Sequence, residues 1–255
     1  MASWAGTDYL AQQQSRLPSH KYRRLHLNLP GLPEGSAFTA EMIMGSIDRG
    51  VKVRQYIEDT KYFAFVDMSG GSSDDATLAI AHRHEDKRAV LDCVMDQGQQ
   101  PPFDPRKAVE RFAATLKTYR VTSVTGDRYA GETFKADFLS HGISYRLSEL
   151  SKSEIYEQLE PKLNAGEVVF LDKPELESQL LSLIWRGGKI DHPNGEHDDY
   201  ANATAGAVYL ASEQRKVFDG RVVIHLGKIE TIRSLDAEEE AFWRDITGGR
   251  MELFR

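Results

Sequence analysis

Lys61-Tyr-Phe-Ala-Phe-Val-Asp67-Met-Ser-Gly-Gly-Ser-Ser-Asp-Asp75 is an apolar run that ends on an acid and passes at once into small, flexible residues. Such a run is a strand buried on both faces, and an acid at its end sits at the rim of the sheet. The glycines after Asp67 are expected to keep the space beyond it open.

Two more short apolar runs follow, Thr77-Leu-Ala-Ile-Ala-His82 and Ala89-Val-Leu-Asp-Cys-Val-Met95, each after a turn-rich break. Three short strands joined by tight turns predict an antiparallel meander. Asp104-Pro105 then starts a helix, the acid as cap and the proline at the first position, with Val109, Phe112, Ala113 and Leu116 as its apolar stripe.

From there strand and helix alternate. Val121-Thr-Ser-Val-Thr-Gly-Asp127 is a β-branched run that again closes on an acid. Helices are expected over 133–141, from Ser151 or Ser153 to about Asn164, over 174–183 and over 198–213, and strands over 143–145 and 166–171. The stretch 186–197 is rich in turn residues and reads as a loop, either a clamp or gate or an ordinary mobile hairpin. The predicted fold class is α/β: a mixed sheet, three antiparallel strands then parallel strands, flanked by helices.

The ends are less regular. Residues 1–20 are polar and Gln-rich and read as a linker-like lead-in, 22–28 alternates like a strand, and 30–35 is a turn-rich connector. The main domain is expected over 21–213. Beyond it, 214–255 is an extension in which Val222-Val-Ile-His-Leu226 suits a strand and 237–246 a short acidic helix.

Composition narrows the chemistry. The 255 residues are 40% hydrophobic and 28% charged, ordinary for a globular protein with a full core. Apolar runs are far too short to span a bilayer, and the first residues lack the basic-then-apolar pattern of a secretory signal. The single cysteine, Cys93, excludes an internal disulfide and a cysteine-cluster metal site, and it reads as a small buried hydrophobe in a reducing compartment. Serine-nucleophile patterns of the Gly-x-Ser-x-Gly kind are absent. The formal net charge of −7 argues against simple electrostatic binding of nucleic acid, except where cations neutralise the acids in use.

Three acidic positions sit at element ends: Asp67, Asp127 and the pair Asp198-Asp199. Taken singly, each suits a turn or a helix cap. Together, on adjacent strands and a closely packed alanine-rich helix, they suit two hard divalent ions about 3.5–4 Å apart, the arrangement that cleaves phosphodiesters. Asp92 points either into solvent or towards this acidic edge, and Asp74 and Asp75 suit a turn.

The pieces Phe65-Val-Asp67-Met-Ser-Gly-Gly, Asp74-Asp75, Val124-Thr-Gly-Asp127-Arg-Tyr-Ala, Lys152-Ser-Glu-Ile-Tyr and Gly195-Glu-His197-Asp198-Asp199-Tyr-Ala-Asn-Ala203 resemble, in order and spacing from about 20 to 212, the large terminase nuclease domain of tailed bacteriophages, a ribonuclease H-like nuclease. The resemblance implies a two-metal endonuclease acting on double-stranded DNA with Mg²⁺ or Mn²⁺. Asp67, Asp127 and Asp198 or Asp199 would be the ligands: Asp199 the direct one, Asp198 a supporting acid or a ligand of the second ion. By their positions beside these acids, Arg128, Lys152, Arg186, Lys189 and His197 suit contact with DNA phosphate or plain solvation at the surface. The implied partners are an ATPase domain, a small terminase subunit and a portal, and the implied place is the bacterial host cytoplasm during phage assembly. No Gly-x-x-x-x-Gly-Lys-Ser/Thr occurs, so the ATPase half is not expected in this chain, and 1–20 would be the end of a linker to it. A junction resolvase or transposase-like nuclease, and a non-catalytic docking module for DNA or a portal, are the competing readings.

Overall fold

The structure, a computed structural model, describes residues 7–16, 22, 25–26 and 34–213. The chain divides into two units, Met1–Glu213 and Gln214–Arg255, and the described residues belong to the first. The strand expected within 222–226 and the helix over 237–246 lie outside the described residues.

The predicted meander forms as β3 (Tyr62–Asp67), β4 (Thr77–Arg83) and β5 (Ala89–Asp96). β3 and β4 run antiparallel from Tyr62↔His82 to Asp67↔Thr77, so Asp67 ends its strand beside Thr77. Next along the chain come α3 (Pro105–Thr118), β6 (Ser123–Gly126), α4 (Arg128–Ser140) and β7 (Ser144–Leu147). They are followed by α5 (Lys152–Asn164), β8 (Val168–Leu171), α6 (Pro174–Ser182) and α7 (Asp199–Ser212). The caps read from the sequence are present. Asp104 accepts from the Arg106 backbone N–H, and Ser151 and Glu154 form a reciprocal capping box.

β6 lies parallel to β3, with Val66 opposite Gly126, so the next residues, Asp67 and Asp127, leave the sheet side by side. The seven-stranded order is β2-β8-β5-β4-β3-β6-β7, where β2 is Ile47–Asp48. Antiparallel pairing holds the meander together, and parallel pairing adds the strands on both sides of it.

Each face of the sheet buries its own core. One contains Phe65, Ala79, Leu91 and Phe170 under α5, α6 and α7. The other contains Val66, Leu78, Ile80, Phe112 and Phe138 under α3 and α4. Every residue of α7 from Tyr200 to Val208 is buried, as a helix inside the molecule rather than on its surface must be. Gly206 makes this depth possible: a Cβ there would run into the Phe65 ring.

Several expectations are corrected. Gly71 does not hold space open; its φ of 79° and contact with the Phe103 backbone, whose N–H donates to Gly71 O at 2.9 Å, make it a point of close chain approach. Tyr22, Leu25 and His26 are helical rather than extended, and the rest of 22–28 lies outside the described residues. The polar lead-in carries a short helix that stops before Pro18, α1 (Thr7–Arg16), as that reading allows, whereas the capped helix α2 (Ala40–Ser46) before β2 was not expected. Of the two readings of the stretch 186–197, the hairpin forms: β9 (Ile184–Arg186) and β10 (Lys189–Asp191) close at Gly187-Gly188, β1 (Glu34–Ser36) adds a third strand, and 192–198 stays irregular.

Asp92 is also corrected. A register shift in the β4–β5 ladder pairs Ile80 with Cys93 and Ala81 with Leu91, leaving Asp92 as the bulged residue. It is fully buried, and one oxygen lies 2.7 Å from His82 Nδ1, so it reaches neither solvent nor the acidic edge. Cys93 is buried as expected, and burial pushes its thiol up to about 11.

Candidate metal centre

Strand ends deliver two of the acids. Asp67 is the last residue of β3 and Asp127 follows β6 directly. The third element is α7, which packs over β3, β4 and β5 with its N-terminus at the same end. A cleft of about 470 Å³ opens there, lined by Asp67, Asp127, Asp198, Asp199, Lys152 and Asn202, with Asp74, His192 and the loop 195–197 at its margin. All four acids named from the sequence meet in it.

Asp198 and Asp199 behave differently. Asp198 occupies the N-cap position of α7, yet its side chain makes no capping hydrogen bond. It is 5% exposed and turns inward, where Oδ2 accepts from the Tyr156 hydroxyl at 2.8 Å and lies 3.0 Å from Lys152 Nζ. Asp199 is half-buried, and its Oδ2 is buried with no hydrogen-bond partner in the protein. A buried carboxylate oxygen without a donor is costly unless a cation serves it.

The site holds excess negative charge. Burial pushes Asp67 up to about 8; the Asn202 amide opposes this, Asp199 and Asp198 add to it, and Lys152 opposes it. Asp199 is pushed up to about 6, by burial first and then by Asp198. Cations are what such a cluster lacks. Oxygen-only donors of this kind suit a hard divalent ion, so the residues fit Mg²⁺ or Mn²⁺.

Lys152, at the start of α5, bridges Asp198 and Asp191, lying 2.7 Å from Asp191 Oδ1. Burial works against its charge, but Asp198 and Asp191 outweigh burial and hold it protonated. Asp191, His192 and Asp198 bring ligand atoms within 4.8 Å of one another, and the ammonium of Lys152 already stands between the two acids.

Of the remaining named residues, His197 lies at the margin of the cleft, and Arg186 and Lys189 are not among its lining. His197 Nδ1 is 3.3 Å from Asp74 Oδ1, both exposed. Arg186 faces Lys189 across the hairpin, and both are exposed. The side chain of Arg128 lies outside the described residues. Asp75 accepts from Gln97 Nε2 at 2.7 Å and Ser69 Oγ donates to the Asp74 carbonyl at 2.6 Å, the turn role expected of this pair.

Sequence reasoning missed Asn202, whose Nδ2 donates to Asp67 Oδ2 at 2.7 Å. Its signal was present: three residues after Asp199 on a helix is the same face, one turn on. Tyr156 was missed as well, because nothing local marks a tyrosine as the partner of an acid 42 residues away.

This mixed sheet, with helices on both faces and acids at the ends of β3, β6 and the start of α7, shares its fold with solved large terminase nucleases. No protein-family model and no curated protein matches the sequence. Solved structures do match. The large terminase nuclease from thermophilic phage G20c aligns over 68% of this chain and 97% of its own, at 18% identity and a TM-score of 0.55. That nuclease has also been solved with bound magnesium and with bound cobalt. The HK97 bacteriophage large terminase aligns over 81% of this chain and 52% of its own, at 16% identity and a TM-score of 0.54. The large terminase from a second thermophilic bacteriophage aligns over 80% of this chain and 52% of its own, at 15% identity and a TM-score of 0.58. The likeness is one of fold, and the chain spans about half the length of these last two proteins.

Proposed function

We propose that this chain is a metal-dependent endonuclease for double-stranded DNA, the nuclease of a phage genome-packaging terminase. The observation that carries the reading is the convergence of Asp67, Asp127 and Asp199, from three separate elements, in one open cleft where a buried Asp199 oxygen has no partner in the protein. Asp67, Asp127 and Asp199 would hold two Mg²⁺ or Mn²⁺ ions. When bound, the ions supply Lewis acidity at the scissile phosphate and a nucleophile at neutral pH.

The chain's own groups prepare that site. Tyr156 and Lys152 satisfy Asp198, which anchors the start of α7 and supports the ligands without being one. Lys152, held by two acids, serves first to neutralise them, and it reaches phosphate only by leaving Asp191. The exposed pair Arg186 and Lys189 suits contact with the DNA backbone, as does His197 at the rim.

In this reading 21–213 is the nuclease domain, 1–20 its lead-in and 214–255 an extension. An ATPase domain, a small terminase subunit and a portal would be its partners, acting on concatemeric DNA in the host cytoplasm. The half-length match to two large terminases supports an ATPase partner.

The deciding experiment compares wild type and Asp67→Asn on linear duplex, supercoiled duplex and a four-way junction, in Mn²⁺ and in EDTA. Wild type is expected to cut both duplex forms in Mn²⁺ alone, and Asp67→Asn to lose cleavage with an unchanged circular dichroism spectrum. Full activity of a folded Asp67→Asn protein would sink the assignment. A strong preference for the junction would replace the terminase reading with a resolvase one.

A further inference from the structure

Asn202 sits on α7 one turn past Asp198 and is 2% exposed. Its two amide ends have unequal fates. Nδ2 donates to Asp67 Oδ2 at 2.7 Å, while Oδ1 is buried with no hydrogen-bond partner. Leaving a buried acceptor unpaired costs about 1–3 kcal/mol, and a leucine of similar size would avoid that cost. The unpaired Oδ1 thus offsets what the Nδ2 bond contributes to stability, so the fold gains little from an asparagine here.

The surroundings of Asp67 explain it better. Among the described residues, Asn202 is the one hydrogen-bond partner of the Asp67 side chain. Thr77, directly opposite Asp67 in the β3–β4 ladder, has a buried hydroxyl with no partner and makes no bond to it. The kind of donor also matters. An arginine or lysine in place of Asn202 would cancel the charge of Asp67 and compete with a divalent ion. An amide N–H grips one carboxylate oxygen while adding no charge, so the full negative charge remains for the ion.

We infer that Asn202 is the positioning residue of the metal centre: by holding Asp67 Oδ2 it fixes the carboxylate and leaves Oδ1 for a divalent cation. The inference rests on the metal-centre reading above. Partners that orient a ligand in this way are worth 10–100-fold in metal affinity.

The test is calorimetric titration of Mn²⁺ into wild type, Asn202→Leu and Asn202→Ala, with thermal melting of each in EDTA and cleavage rates across Mn²⁺ concentrations. Both variants are expected to bind Mn²⁺ about 10–100-fold more weakly. Asn202→Leu is expected to melt lower in EDTA, because Asp67 loses its donor, and cleavage should recover in part as Mn²⁺ is raised. Asn202→Ala supplies the answer if the leucine variant does not fold. Unchanged Mn²⁺ affinity in a folded variant overturns the inference, as does a lowered metal-free melting temperature with unchanged affinity. If wild type itself takes up no Mn²⁺, the nuclease reading fails too, and the two failures are thereby distinct.

Discussion

Asp198 and Asp199 are neighbours in sequence, yet one faces protein donors and the other lacks them. Asp198 depends on Tyr156 and Lys152, so Tyr156→Phe leaves a buried carboxylate short of a donor. The expected cost is about 1–3 kcal/mol, read from the urea midpoint at constant slope. Asp67 is the second residue-scale case. Its carboxyl titrates near 8 in the folded protein because of burial first, against the ordinary value of 3.8. Between those values the metal-free native state holds a proton that the unfolded chain has released, so stability falls as pH rises through that window. Metal-free protein should therefore melt higher near pH 5 than near pH 8. Mn²⁺ binding at pH 7 should release protons, seen as a dependence of the calorimetric heat on buffer ionisation enthalpy. Asp67, Asp127 and the Asp198-Asp199 pair were legible in the sequence because each ends or begins an element. Their protonation was not, because it depends on neighbours brought in by other elements.

At the scale of elements, α7 sets the geometry of the centre by how closely it lies on β3. The Gly206→Ala methyl would meet the Phe65 ring, so overpacking of about 1–3 kcal/mol is expected. The helix must then lift, which should weaken Mn²⁺ binding measured by calorimetry as well as lower the melting temperature. The alanines flanking this glycine marked a close approach in the sequence, and the helix forms where expected, over Asp199–Ser212. The β9–β10 hairpin was one of two readings of its stretch, but its strand bounds were not legible. Its strands have three residues each, too few to show a period of two, and it gains a further partner in β1, about 150 residues earlier in the chain. Turn residues at 187–188 were visible, but the strands they join were not.

Across the whole molecule, the sheet separates the metal centre from a second buried polar pair. Asp67 and Thr77 lie at one end of the β3–β4 ladder, while His82, opposite Tyr62, lies at the other. There Asp92 is held by His82 at 2.7 Å and its second oxygen is buried and unpaired. Removing the partner of a buried acid costs about 3–5 kcal/mol, so His82→Ala should strongly lower stability in urea. Mn²⁺ affinity of the folded variant should stay at the wild-type value, because no ligand-bearing residue touches this pair. An affinity loss equal to that of a ligand mutant would show the two ends to be coupled.

Local pattern was enough to determine the strand–acid endings, the caps at Asp104 and Ser151, the order of strands and helices from Tyr62 to Ser182, and so the mixed sheet. These depend on residues within a few positions of one another, where periodicity and turn chemistry act. Only the tertiary structure decided which acid of the Asp198-Asp199 pair keeps an unpaired oxygen, that Asn202 holds Asp67, and that Asp92 bulges inward to His82. Those outcomes rest on donors and acceptors 10 to 135 residues apart meeting in a desolvated interior, where a single hydrogen bond decides what a carboxylate does.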